Sequence, residues 1–198
     1  YMNKYFNISQ DNFLVIGGPC HAEEVALEKL SYLTIGSSNL KLCENISNDF
    51  RCKFINVKAS DDVIGIEYAS MLKNIYALAV GISNGLGYGD NYQSVLMSNS
   101  IKEMKRFISK RHEIKRNINN SAYLGDLLVT GYSTFSRNRM FGNMIGKGYT
   151  IKAAQSEMNM VVEGYIATKK AFLLNQNSKD KIEIPIINAV YKLSLIHI

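Results

Sequence analysis

The sequence lacks the cysteine patterns of cross-linked or metal-bound proteins and the long apolar runs of membrane-spanning ones. Cysteine occurs only at Cys20, Cys43 and Cys52, an odd number without the paired spacing of a zinc site. The longest apolar runs, such as residues 75–82, fall far short of the roughly 20 residues that cross a bilayer. No basic and apolar leader opens the chain. We therefore predict reduced cysteines, no metal, no transmembrane segment and a soluble, cytoplasmic protein.

Proline and acidic residues are also scarce. Pro19 and Pro185 are the only prolines, and each stands where a turn or a helix start tolerates one. Lysine and arginine outnumber the acids by 23 to 17, which gives a formal charge of +6. A hydrophobic content of 46% excludes a disordered chain and permits one sizeable core or two small ones.

Much of the positive charge lies in one segment, residues 102–116, with the sequence KEMKRFISKRHEIKR. Nucleic-acid-binding surfaces are basic in this way, but Phe107 is the only aromatic residue here and no nucleic-acid-binding motif accompanies it. We favour a solvated helix face that attracts phosphate-bearing substrates, with no nucleic-acid partner. A basic nucleic-acid-binding or interaction module is the alternative from another functional class.

Near residue 60 the sequence pattern changes from alternating strands and helices to helices alone. Before it, FLVIGG, YLTIGSS and KFINVKAS have strand patterns, and AEEVALEKL and LKLCENISN between them have helical periodicity. This βαβαβ pattern predicts an α/β region at residues 1–60, and an all-α domain follows at 61–198. Shorter helices are predicted in that domain at about 92–109, 137–146, 150–158, 163–174 and 185–193.

The longest helix is predicted from about Asp61, as its N-cap, to about Ser83. Apolar residues cover most of its circumference, which predicts a central, largely buried helix. A polar stripe that includes Asn74 crosses this helix, with Lys73 beside it. A buried charge without a partner is costly, so Lys73 either extends to water from the helix edge or has a chemical role.

Polar residues gather in residues 125–139, GDLLVTGYSTFSRNR, without the spacing of an amphipathic helix. Asp126 and Thr130 lie at the start, and Ser136, Arg137 and Asn138 lie together near the end. The planar guanidinium of Arg137 suits a phosphate, and its two neighbours add neutral donors. The structural alternative makes Asp126 and Ser136 helix N-caps and places Arg137 on a solvated edge.

Several stretches together identify a resemblance: GGPCHAEEV from Gly17, EYASMLKNIYALAVGISNGLGYGDN from Glu67, YLGDLLVTGYSTFSRNRMFG from Tyr123 and MVVEGYIAT from Met160. From about residue 13 to 191 the chain closely resembles the C-terminal two thirds of bacterial NAD(P)-dependent glycerol-3-phosphate dehydrogenase. The resemblance implies a remnant of a Rossmann-type domain followed by a helical substrate domain like the C-terminal bundle of 6-phosphogluconate dehydrogenase. It also implies reversible reduction of dihydroxyacetone phosphate to sn-glycerol 3-phosphate, for glycerophospholipid synthesis, with NADH or NADPH.

The resemblance implies roles for individual residues. Lys73 matches the catalytic lysine, the proton donor and acceptor at the substrate oxygen, and Asn74 and Asp126 complete the catalytic set. Substrate contacts match Gly18, Cys20, Lys73, Asp126, Thr130, Ser136, Arg137 and Asn138. Cofactor contacts match Ala22, Arg137, Val161 and Glu163. A lysine whose pKa is lowered by burial can supply the required proton near neutral pH. Cys20 stands where the family has Ser or Thr, and a thiol is the weaker donor.

The sequence also departs from the family pattern. No G-x-G-x-x-G follows a strand, and GLGYGDN follows a helix, so we reject it as a phosphate loop. The ending LIHI differs from the family's usual finish and indicates a cloning junction or a reading error. We therefore expect a fragment that binds cofactor poorly and is inactive alone. NAD or NADP preference stays open, a homodimer is an expectation, and a hydroxyacid or 6-phosphogluconate-type dehydrogenase is the enzymatic alternative.

Overall fold

The computed structural model describes residues 5–158 and 160–196. Near its N-terminal end it has three strands, β1 (Val15–Gly17), β2 (Ser31–Gly36) and β3 (Ile55–Ser60). Two helices connect them, α1 (Ala22–Ala26) and α2 (Leu40–Phe50). The alternation of strand and helix predicted for this region is therefore confirmed.

The remaining described residues contain helices and turns and no further named strand. The helices are α3 (Val63–Gly85), α4 (Asp90–Arg111), α5 (Asp126–Tyr132), α6 (Arg137–Gly146), α7 (Ile151–Glu157), α8 (Glu163–Gln176) and α9 (Pro185–Tyr191). The prediction for α6 has the observed bounds, and the other predictions differ by one to two residues at most ends. The ending LIHI covers residues 195–198, of which 197 and 198 lie outside the described residues.

The sheet is mixed, with the strand order β1-β2-β3. Strands β2 and β3 are parallel, in register from Ser31 opposite Ile55 to Gly36 opposite Ser60. Strand β1 runs antiparallel to β2. The 11-residue α2 provides the crossover that a parallel pair requires, whereas only the 5-residue α1 lies between β1 and β2. A Rossmann-type sheet is mostly parallel, whereas β1 and β2 are antiparallel here, so the sheet by itself does not show one.

The chain forms two compact units. The first comprises the described residues up to Ser70 together with Asn119–Asp126, and the second comprises Met71–Ile118 and the described residues from Leu127 onward. One boundary between the units therefore lies inside α3, between Ser70 and Met71, whereas the predicted boundary follows residue 60. The division into an α/β part at 1–60 and a helical part at 61–198 stays a prediction.

The first unit has its own small core, formed by Ile35, Cys43 and Val57 between the sheet and α2. The Cys43 thiol is fully buried and donates to the Ile35 carbonyl at 2.8 Å. Cys20 and Cys52 are likewise free thiols, the former half-buried and the latter exposed. Within the part of the chain that the structure describes, no three metal-ligating side chains group together.

Helix α3 starts two residues after the predicted N-cap position. The cap is Asp62 rather than Asp61, because the Asp62 Oδ1 accepts from the Gly65 N–H at 3.0 Å. Residues 74–83 are all buried, which confirms the central helix that the apolar pattern predicts. The helix is long and apolar enough to cross a membrane, but 61% of its apolar window is buried inside the protein, as in the core helix of a folded domain.

Helix α4 is amphipathic and confirms the solvated basic face. Lys102, Lys105, Arg106 and Lys110 are exposed, whereas Glu103, Met104, Phe107 and Ile108 are buried. Several of the basic groups contact the protein itself. Arg106 donates to the Glu183 carbonyl at 3.2 Å, and the Lys110 Nζ lies 3.1 Å from the Asp180 carboxylate.

The buried acid on α4 holds the start of α9. The two carboxylate oxygens of Glu103 accept from the Ile186 N–H at 2.8 Å and the Ile187 N–H at 3.1 Å. Pro185 is the first residue of α9, which confirms its predicted place at a helix start. Burial raises the pKa of Glu103, although the two N–H groups and Arg106 act in the opposite direction.

Candidate functional site

In the first unit, two residues from separate motifs are neighbours. Gly18 follows β1, and its N–H donates to the Asp126 Oδ2 at 3.2 Å. The Gly18 φ is +120°, and a Cβ there would lie 2.4 Å from the Tyr32 carbonyl, so only glycine fits. Asp126 is the first residue of α5 and is 2% exposed. The structure thus places a buried carboxylate against the backbone of the GGP turn.

The other predicted residues of the first unit lie near this turn in sequence. Cys20 is half-buried, and Ala22, the first residue of α1, is exposed. Cys20 lies two residues before the short helix α1, and Ala22 begins it. The N-cap residue of this helix, His21, makes no side-chain capping hydrogen bond. Their contacts with substrate and cofactor stay predictions.

In the second unit, the predicted catalytic pair lies on α3. Lys73 is half-buried, while Asn74 is buried with 7% exposure. The Lys73 side chain is therefore neither fully exposed nor sealed in the core. Its position permits both interpretations of the sequence, a side chain that extends to water and a proton donor within reach of a ligand.

Asn74 belongs to a chain of hydrogen bonds that joins three helices. The Gly164 N–H at the start of α8 donates to the Asn138 Oδ1 at 2.8 Å. The Asn138 Nδ2 on α6 donates to the Asn74 Oδ1 at 2.9 Å. The Asn74 Nδ2 donates to the Glu163 Oε2 at 2.9 Å. We call these four residues the amide chain; three of them were predicted site residues from motifs far apart in sequence.

Gly164 is the member of the amide chain that the sequence did not point to. A Cβ at this position would lie 2.4 Å from the Asn74 carbonyl oxygen and 2.8 Å from the Asn138 Oδ1. Only glycine therefore lets α8 approach α3 and α6 so closely. The signal was present in the VVEG motif, where a glycine directly follows the predicted cofactor residue Glu163.

The predicted phosphate ligands lie at the start of α6. The Ser136 Oγ accepts from the Arg139 N–H at 3.3 Å, which confirms the N-cap interpretation. Arg137 is half-buried, and its Nη1 lies 2.8 Å from the Met160 Sδ. A thioether is a weak acceptor, so this contact leaves the guanidinium charge uncompensated. Phosphate binding by Ser136, Arg137 and Asn138 stays a prediction.

The remaining predicted site residues, Thr130, Val161 and Glu163, differ in their exposure to solvent. Thr130, on α5, is buried with 7% exposure. Val161, two residues before α8, is 65% exposed, and Glu163, the first residue of α8, is exposed. The exposed pair is accessible to a large ligand, and the ligand roles of all three stay predictions.

A cavity elsewhere in the second unit contains none of the predicted residues. Its volume is about 620 Å³, and it lies between α4 and α9. Apolar side chains such as Ile82, Leu96 and Val190 line it, together with charged residues of α4. The size of this cavity therefore gives no guide to the candidate site.

Comparison with known proteins places these motifs in one family. Residues 62–195 match the family model described as NAD-dependent glycerol-3-phosphate dehydrogenase C-terminus. A glycerol-3-phosphate dehydrogenase [NAD(P)+] from Bacillus velezensis is 39% identical over 181 residues, which are 91% of this chain and 52% of the relative. The corresponding protein of Chlorobium phaeobacteroides is 37% identical over 186 residues, 94% of this chain and 55% of the relative.

A solved structure agrees with the sequence comparison. The crystal structure of glycerol-3-phosphate dehydrogenase from Coxiella burnetii superimposes with a TM-score of 0.88 at 32% identity, covering 93% of this chain and 56% of that one. The chain thus spans about half the length of the curated relatives it matches. The family model covers well over half of the chain. The chain therefore belongs to the NAD-dependent glycerol-3-phosphate dehydrogenase family, of which it contains the C-terminal domain.

Proposed function

We propose that this chain forms the substrate-binding and catalytic part of an enzyme that reduces dihydroxyacetone phosphate to sn-glycerol 3-phosphate. The observation that carries the proposal is the amide chain, which brings Asn74, Asn138 and Glu163 together from three separate motifs. Family membership supplies the reaction class, because the relatives carry the name glycerol-3-phosphate dehydrogenase [NAD(P)+]. Glycerophospholipid synthesis is the proposed use of the product.

Reduction of a ketone needs a proton at the oxygen as hydride reaches the carbon. Lys73 is the proposed donor, since it is a half-buried amine on α3 next to the fixed amide of Asn74. Asn74 orients the carbonyl without adding charge. Asp126, held by the Gly18 N–H, accepts from a substrate hydroxyl. In the reverse reaction Lys73 takes the proton back.

The phosphate end of the substrate is assigned to the start of α6. Arg137 offers a planar guanidinium whose charge its Met160 neighbour does not neutralise. Ser136 and Asn138 add neutral donors, and Thr130, Gly18 and Cys20 contribute to the rest of the substrate pocket. A thiol at Cys20 makes this contact weaker than a hydroxyl would.

The proposed cofactor contacts fit a nicotinamide nucleotide. When bound, NADH or NADPH supplies the hydride. Val161 and Glu163 are exposed at the start of α8 and Ala22 is exposed on α1, so all three can be reached by a large ligand. Arg137 supplies the positive charge that a phosphate-bearing cofactor needs.

Three further assignments belong to the same proposal. The sheet at residues 1–60 is the end of a Rossmann-type domain, which the parallel β2–β3 pair with its α2 crossover supports. The helical part at 61–198 is the substrate domain. The complete protein is cytoplasmic and forms a homodimer; the burial of α3 supports a helix of a folded domain rather than of a membrane.

The test uses the complete gene product, with whatever codons precede Tyr1 restored. NADH and NADPH oxidation are measured with dihydroxyacetone phosphate, and with dihydroxyacetone as the control that lacks phosphate. We expect rapid oxidation that depends on the phosphate, and no turnover by the 198-residue chain alone. Equal rates with both ketones would contradict the phosphate assignment, and activity only with a hydroxyacid or 6-phosphogluconate would support a related dehydrogenase instead.

A further inference from the structure

We infer that Glu163 and Asn138 are positioning residues that fix one orientation of the Asn74 amide beside Lys73. The consequence for turnover rests on the proposed function, whereas the hydrogen-bond chain itself rests on the geometry of the second unit. Glu163 has a predicted cofactor contact and Asn138 a predicted phosphate contact. The amide chain gives both residues an additional task within the protein.

The two ends of the amide chain fix its direction. A backbone N–H can only donate, so the Asn138 atom opposite Gly164 must be the oxygen. Asn138 then turns its nitrogen toward the Asn74 oxygen. Asn74 must therefore turn its own nitrogen toward Glu163, and an ionised carboxylate can only accept. Donor and acceptor thus agree at every link.

This direction matters because an asparagine amide has nearly the same shape in both orientations. If Asn74 were reversed, its nitrogen would face the nitrogen of Asn138 and its oxygen would face the Glu163 carboxylate. Both contacts are repulsive. Asn74 and Asn138 are each only 7% exposed, so water cannot readily replace the lost hydrogen bonds. The amide of Asn74, the residue after Lys73 in α3, consequently has a fixed polarity.

The amide chain begins and ends on one turn of α8. Glu163 and Gly164 are the first two residues of that helix, and the N-cap residue Val162 provides no side-chain cap. The first N–H groups of a helix need acceptors from outside it, and Asn138 supplies one from α6. The start of α8 is therefore fastened to α6 and α3 by the same bonds that orient Asn74.

The first test is a double-mutant cycle on stability, which needs no enzymatic activity. In the 198-residue chain, Asn74→Asp replaces the 2.9 Å hydrogen bond between Asn74 and Glu163 by a contact between two carboxylates. We expect the unfolding equilibrium constant in urea to rise at least about tenfold. Adding Glu163→Gln lets the new amide at position 163 donate to the new carboxylate at position 74. The double variant should recover most of the lost stability.

Asn175→Asp is the matched control. Asn175 is a buried asparagine on the same helix α8. Its amide donates to the Ile182 carbonyl and accepts from the Ile182 N–H, each at 2.9 Å. Its replacement should also destabilise the chain, but Glu163→Gln should not compensate. Equal effects of Glu163→Gln on both aspartate variants, or no recovery of Asn74→Asp, would overturn the inference.

The second test measures turnover in the complete gene product. The double variant Asn74→Asp with Glu163→Gln keeps the hydrogen bond but changes the polarity of residue 74. We expect kcat with dihydroxyacetone phosphate to stay at least about tenfold below the parent, although stability is recovered. A kcat equal to the parent's would overturn the positioning role. If the parent itself does not reduce this ketone, the proposed function fails, and the stability cycle still decides the amide chain.

Discussion

At the scale of single residues, Lys73 is the group on which the proposed chemistry depends. It is a half-buried amine directly before the buried Asn74. We expect Lys73→Ala in the complete gene product to lower kcat by about 10²- to 10⁴-fold, because a positioned general acid contributes that much. Urea unfolding should change little. Lys105→Ala, on the exposed face of α4, is the control, and near-normal turnover of Lys73→Ala would remove this residue from the mechanism.

Arg137 tests the phosphate assignment. Lysine keeps the charge of arginine but cannot form two parallel hydrogen bonds with a phosphate. We expect Arg137→Lys to weaken the transition state for the phosphorylated substrate by about 1.5 to 3 kcal/mol, a loss of roughly ten- to 150-fold in kcat/KM. Because Arg137 is also a predicted cofactor contact, the KM values for ketone and for NADPH are measured separately. An unchanged kcat/KM would place the guanidinium away from the ligands.

At the scale of secondary-structure elements, Glu103 makes the stability of the folded chain depend on pH. Its carboxyl is fully buried on α4 and caps the start of α9 through the Ile186 and Ile187 N–H groups. Burial raises its pKa from the ordinary value of 4.5, so the folded chain keeps a proton that the unfolded chain releases. Stability should therefore fall as the pH rises from about 4.5 to the raised pKa.

The measurement is urea unfolding between pH 4 and pH 7. Glu103→Gln should remove this part of the pH dependence, because an amide does not titrate there. One of the two N–H groups at α9 would then lose its acceptor, which should cost about 1 to 3 kcal/mol at low pH. Glu113→Gln, on an exposed segment, is the control. A Glu103→Gln curve parallel to that of the parent would contradict the prediction.

Close packing of two helices is a second property of the elements. A Cβ at Gly142 on α6 would lie 2.2 Å from the Leu78 carbonyl of α3, and one at Gly81 would lie 2.1 Å from the Arg139 carbonyl. Backbone atoms cannot move aside as a side chain can. We expect Gly142→Ala to destabilise the chain by about 1 to 3 kcal/mol in urea unfolding.

Gly89→Ala is the matched control for this helix contact. A Cβ at Gly89 would have no atom within 4 Å, and the φ of −81° at this residue is one that other residues adopt. Its replacement should cost less than about 1 kcal/mol, mainly through a poorer N-cap for α4. Equal losses for both variants would mean that the backbone contact between α3 and α6 adds nothing to stability.

At the scale of the whole molecule, the formal charge of +6 raises the question of nucleic-acid binding. Part of the basic segment is engaged within the protein: Lys110 pairs with Asp180, and the Arg111 guanidinium lies 4.9 Å above the Phe107 ring. We expect no binding of mixed-sequence DNA to the 198-residue chain at about 150 mM salt. Binding that weakens steeply with salt, measured by fluorescence anisotropy, would instead support the interaction-module alternative.

The sequence by itself determined the elements and the family of this protein. Local periodicity predicted the strands and helices, since each kind of element places its apolar residues at a characteristic spacing along the sequence. One error is local: the N-cap of α3 is Asp62 rather than the predicted Asp61, because either of two adjacent acids is suitable for that position. The motifs around Lys73 and Arg137 predicted the family, which the comparison of residues 62–195 confirms.

Only the tertiary structure decided which residues meet. Nothing in the spacing shows that Gly18 binds Asp126 or that Asn138 binds Asn74, because contacts between distant residues depend on how the helices pack. The antiparallel direction of β1, the burial of Glu103 in a basic segment and the need for glycine at Gly164 were undetermined for the same reason. The sequence determines which secondary structure each segment prefers, and packing determines which polar groups must form hydrogen bonds with one another.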